Sequence, residues 1–95
     1  MRDCDIFDLV KEIRSVQTRA VEATLDLCGP VVDEIISLNI RNQKIIEQHL
    51  DIMLDTAFDA RVLALYKKLC RYYYFINERA AVSYVQYYRE MWDVD

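Results

Sequence analysis

Apolar positions repeat at helical spacing along almost the whole chain. Between about Asp5 and Cys28, the residues Ile6, Leu9, Val10, Ile13, Val16, Ala20, Ala23, Leu27 and Cys28 fall in one stripe, with Lys11, Ser15, Thr18, Glu22 and Asp26 opposite. That pattern predicts an amphipathic helix with one face for burial. Asp3 or Asp5 can cap its start, and Asp8 suits the positive end of the helix dipole. Gly29-Pro30 predicts its end, because Gly accepts the left-handed stop conformation and Pro fits the first turn of a following helix.

A second helical segment is expected from Pro30 to about Leu54, marked by Val31, Val32, Ile35, Ile36, Leu38, Ile45, Ile46, Leu50, Met53 and Leu54. Its middle is irregular: on an unbroken helix Asn39, Asn42 and His49 share the apolar side. Either the helix breaks near Ser37–Gln43, or a polar layer lies against the core. The return in phase of Ile45, Ile46, Leu50 and Met53 favours continuity.

Asp55-Thr56 is the next expected turn, with Thr56 and Asp59 spaced as in a capping box. From there Phe58, Val62, Leu65, Leu69, Tyr72, Tyr73, Ile76, Ala80, Tyr84, Tyr87 and Met91 hold one phase for about nine turns. The single soft point is Asn77, which can cap a fourth helix or mark a kink. Beside this stripe runs a second: Leu63, Cys70, Tyr74, Ala81, Val85, Tyr88 and Trp92. Together the two cover roughly 200–220° of the wheel, where a core-facing helix needs about 100–140°. The polar remainder is mostly basic: Arg61, Lys67, Lys68, Arg71, Arg79 and Arg89. Either this helix is sandwiched within its own bundle, or the second stripe is buried by another chain. Leu63, Tyr74, Val85, Tyr88 and Trp92 are the expected interface residues in the second case, since Tyr and Trp bring apolar area with a polar handle.

The fold class these elements predict is all-α: an antiparallel bundle of three long helices, four if the chain breaks near Asn77, in a single domain covering residues 1–95. The composition supports it. One Gly and one Pro leave too little turn chemistry for a sandwich or barrel. A net charge of −4 makes nucleic acid and anionic membrane surfaces poor partners. No apolar run approaches the roughly 18 residues of a membrane span. The acidic start, Met1-Arg2-Asp3-Cys4-Asp5, is unlike a signal peptide, so the cytoplasm is the expected compartment. Three cysteines (Cys4, Cys28, Cys70) are odd in number and far apart, which suits buried or incidental thiols.

Candidate chemistry is sparse. His49 is the only histidine, and its i±3 and i±4 neighbours are Ile45, Ile46, Ile52 and Met53, which cannot share a metal. It is expected to be partly buried and hydrogen-bonded to a neighbour. Glu47, Asp51, Asp55 and Asp59 step by four, an acidic ribbon expected to be solvated or to lie near Arg61, Lys67 and Lys68 if the chain reverses at Thr56. Asn39 and Asn42 are expected in a loop or cap, or as a polar core layer that sets register. No cofactor, metal or catalytic residue set is expected. The anticipated function is a non-enzymatic helical interaction or regulatory protein, working through its C-terminal helix on a second copy or on a helical protein partner. The alternative is a small-ligand or peptide-binding bundle, its pocket lined by tyrosines with Asn39, Asn42 or His49 as polar contacts.

Overall fold

The stripe of the first segment does not stop at Gly29-Pro30. In a computed structural model that describes residues 2–92, with side chains from Arg19 onward, helix α1 runs unbroken over Arg2–Ser37. The expected stop fails because Gly29 keeps a negative φ. Tertiary packing carries the helix through: Val21, Thr24, Cys28, Val32 and Ile35 keep one phase on both sides of the joint and all are buried. Pro30 costs the helix one amide hydrogen bond, while Gly29 lies opposite Leu65 of the neighbouring helix. The stripe from Ile6 to Val16, the capping candidates Asp3 and Asp5, Asp8 and Cys4 fall outside the described side chains.

The break that the polar intruders signalled lies at Leu38–Asn42, so the expected continuity of the second segment fails. Asn39 takes a left-handed φ of 54°. The amide of Asn39 bonds to the carbonyl of Ile36 at 3.2 Å, and that of Ile40 to Ile35 at 2.9 Å. This paired closure is the Schellman motif, with Asn in the place where Gly is commonest. Asn42 then caps α2 (Gln43–Leu54), its Oδ1 accepting the Ile45 amide at 3.2 Å. Both asparagines thus serve the chain reversal, and neither forms a polar core layer.

The turn at Asp55–Asp59 follows, but the cap of α3 (Ala60–Tyr74) is Asp59, which accepts the Arg61 amide at 2.8 Å. Thr56 is buried and its hydroxyl donates back to the Met53 carbonyl at 3.4 Å, so the proposed Thr56–Asp59 capping box does not form. The long C-terminal rod is two helices. After Tyr74 the chain turns through Phe75–Asn77 and resumes as α4 (Glu78–Trp92). Asn77 accepts the Ala80 amide at 3.1 Å, and Glu78 sits in the first turn, where a negative charge is favoured.

Contacts fix the directions. Arg61 meets Glu22 at 3.2 Å, Lys68 meets Asp33 at 2.8 Å, and the Tyr72 hydroxyl meets the Ile40 carbonyl at 2.7 Å. Both residue numbers climb together, so α1 and α3 are parallel. Asn77–Gln43, Tyr84–Asp51 and Trp92–Leu54 climb the same way, so α2 and α4 are parallel. The topology is up-down-up-down, with sequential neighbours antiparallel. Helix α3 packs against each of the other three. It supplies Val62, Tyr66, Leu69, Cys70 and Tyr73 to the core, which Ile46, Leu50 and Met53 of α2 and Ala81 and Tyr84 of α4 complete. No helix among the described residues is long and apolar enough to cross a membrane.

Candidate functional site: an apolar groove with a basic rim

Folding the rod at Phe75–Asn77 divides the second stripe. Cys70 and Ala81 are buried where α3 meets α4. Leu63 and Tyr88 are half-buried, Tyr88 against the Tyr66 ring at 6.2 Å between centroids. Trp92 turns the other way: its indole N–H donates to the Leu54 carbonyl at 2.7 Å and its ring meets Phe58 edge-on at 5.2 Å. Only Tyr74 and Val85 of the five expected interface residues remain together, 46% and 45% exposed, in one groove. Leu63, Tyr88 and Trp92 do not line it.

That groove runs along the outer side of the α3–α4 hairpin and has a volume of about 910 Å³. Cys70 and Ala81 form its floor; Tyr74, Phe75, Val82 and Val85 extend the apolar lining. Phe75 is 84% exposed, so the turn puts an aromatic ring in water. Lys67 and Arg71 stand on the α3 wall, Gln86 and Arg89 on the α4 wall, and among the described residues no acidic side chain lines it. Of the ten lining residues, only Tyr74 and Val85 are among the site residues expected from the sequence. The two walls come from consecutive helices that the turn at Phe75–Asn77 folds antiparallel.

Two other basic residues of α3, Arg61 and Lys68, are paired with acids. Arg61 bridges Glu22 and Asp59, whose carboxyl it holds below the usual carboxylate range. Lys68 pairs with Asp33. Of the acidic ribbon, Asp59 thus meets Arg61 as expected, while Glu47 and Asp51 meet the hairpin's tyrosines. Tyr73 donates its hydroxyl to Glu47 and, at 3.3 Å, to Gln43; Tyr84 donates to Asp51 at 2.9 Å. Burial first, then the neighbouring carboxylate, pushes both phenols well above their ordinary range. Tyr66 is raised in the same way by burial, and its hydroxyl donates to the Tyr84 carbonyl at 2.6 Å. Burial also pushes the Cys70 thiol up to about 12 and raises Cys28, so neither is an activated nucleophile.

The polar candidates of the sequence lie elsewhere. His49 is half-buried, with Nδ1 at 2.8 Å from the Ile45 carbonyl of its own helix. Asn39 Oδ1 accepts the Tyr72 hydroxyl at 3.1 Å, and Asn42 caps α2. None of the three lines the groove. Among the described residues no group of three or more His, Cys, Asp or Glu side chains converges to hold a metal ion. What the groove offers is uptake of an apolar surface flanked by negative charge. No family model matches this chain, and no curated protein and no solved structure matches it either.

Proposed function

We propose that this is a non-enzymatic interaction protein that self-associates by burying the α3–α4 groove against a helix. One observation carries the reading: Tyr74, Phe75, Val82 and Val85 all stand exposed in a single groove. Contiguous apolar patches on monomeric proteins are small, and larger ones mark association surfaces. Aromatic side chains with Arg at the edge are also the composition enriched at interfaces. Homo-oligomers with a two-fold axis are the commonest assemblies. The cytoplasm suits this role, since the buried thiols of Cys28 and Cys70 are unpaired with each other.

Light scattering on the full chain, with Val85→Glu beside it, tests the reading. Val85 is exposed, so a carboxylate there leaves the fold intact while placing charge in the groove. The wild type is expected at twice the 11.3 kDa chain mass and the variant at the single mass. A wild type at the single mass, or a variant as dimeric as the wild type, overturns it.

A further inference from the structure

We infer that the groove's occupant is the N-terminal half of α1 from a second copy of this chain. The inference rests on the proposed self-association and names its other half. Three observations on the chain lead there.

The first is length. A helix of 36 residues is about 54 Å long, whereas the 15 residues of α3 make about 22 Å. The Arg61–Glu22 pair places the first turn of α3 at the level of Glu22. The parallel course then uses up α3 along the stretch from Glu22 to the end of α1, which holds Cys28, Val32 and Ile35 of the core. The start of α1 belongs to the same helix, yet the level of its partner begins only at Glu22.

The second is pattern. The amphipathic stripe does not begin at Glu22. Ile6, Leu9, Val10, Ile13 and Val16 carry it through the N-terminal half in sequence. A helix with an apolar stripe buries it against another element.

The third is charge. The groove's α3 wall carries Lys67 and Arg71, four residues apart on one helix face. Along α1, Asp5, Asp8 and Glu12 are spaced i, i+3 and i+7, a single acidic row on one flank of the stripe. The opposite flank is mixed, with Asp3 and Arg14. An apolar helix edged by an acidic row matches an apolar groove edged by a basic one, and such complementarity fixes orientation as well as partner. Reciprocal exchange, each α1 in the other chain's groove, closes the assembly as a two-fold dimer.

The exchange leaves a signature that self-pairing of two grooves does not. In Asp8→Arg/Glu12→Arg, both α1–groove contacts of a homodimer face like charges; the same holds for Lys67→Glu/Arg71→Glu. Each variant alone is expected to raise the dimer dissociation constant roughly tenfold or more and to run near the single-chain mass. Mixing the two variants restores the dimer, because the mixed pair has one contact wholly native and the other with both signs reversed. Circular dichroism confirms that each variant keeps its helix content before mixing. A mixture that stays monomeric, or either variant alone as dimeric as the wild type, overturns the inference. If Val85→Glu is monomeric while Asp8→Arg/Glu12→Arg is dimeric, the groove is the interface and α1 is not its occupant. If Val85→Glu leaves the dimer intact, the inference and the proposed function fall together.

Discussion

On the side of the hairpin that faces α2, Tyr73, Tyr84 and Trp92 each hand a hydrogen to α2, at Glu47, Asp51 and the Leu54 carbonyl in turn. On the opposite side, Tyr74 bonds to Glu78 in the first turn of α4, at 3.0 Å, and the side chains of Phe75, Val82 and Val85 have no polar atom to place. The residue types are alike on the two sides and the consequences differ. Facing α2, Tyr73 and Tyr84 are buried, Trp92 is partly exposed, and all three polar tips are satisfied across helices, so those rings specify how the hairpin sits on α2. Facing outward, equivalent area is left around a basic rim. Aromatic content alone therefore says little; the destination of each hydroxyl separates a scaffold ring from a surface ring.

The widest gap between the two sides is expected in truncation. Tyr73 is fully buried, so in the Val85→Glu background, where the chain is expected to be monomeric, Tyr73→Ala should lower the unfolding free energy by about 3–5 kcal/mol, while Tyr74→Ala on the outer side should stay within about 0.5 kcal/mol. Urea unfolding followed by circular dichroism measures both. Equal losses would erase the distinction.

Alkali should act on the inner side next. The raised phenols of Tyr66, Tyr73 and Tyr84 remain protonated in the fold at pH values where the unfolded chain, with Tyr at about 10, loses its protons. Their contribution is complete below about pH 10 and declines as pH climbs through and beyond it. Urea midpoints should therefore fall steeply between about pH 10 and 11 and be flat between about 7 and 9. Tyr66→Phe, which removes the phenol bonded to a carbonyl and not to a carboxylate, should make the alkaline fall shallower; an unchanged slope would remove burial as its cause.

The smallest expected effect is that of a single hydroxyl. Tyr84→Phe keeps the ring and deletes the bond to Asp51, whose exposed carboxylate then takes water, so the loss should be about 0.5–1.5 kcal/mol. Tyr74→Phe, measured in the same series, should be indistinguishable from the wild type. A larger loss for Tyr74 than for Tyr84 would reverse the assignment of the two sides.

The all-helical class, the turn at Asp55–Thr56 and the soft point at Asn77 were legible because capping chemistry is local, whereas at Asn39–Asn42 the returning apolar phase argued for a continuous helix and the local caps prevailed. Asn and Asp satisfy amides within three residues, and that signal needs no tertiary contact. What sequence could not decide was which competing signal wins. Gly29-Pro30 reads as a stop, yet the buried phase of Cys28 and Val32 on either side, packed on α3, outweighs it. At Asn77 the apolar phase carries straight across a reversal, because the residues that line one rod also line the inner faces of a hairpin. The groove was half-visible: Tyr74 and Val85 were named, and Lys67, Arg71 and Arg89 were seen as a polar remainder. Their meeting around one depression depends on antiparallel closure, which no residue within either helix encodes.

Pro30 has one more consequence for α1. With no amide hydrogen at that position, the carbonyl of Asp26 lacks the donor that an uninterrupted helix supplies. Across that gap the two segments of α1 are splinted from outside, by Leu65 beside Gly29 and by Lys68 on Asp33. The longest rod in the molecule is thus a product of its neighbours: detached from α3, it has a seam at its own proline, and its continuity is a property of the assembled bundle.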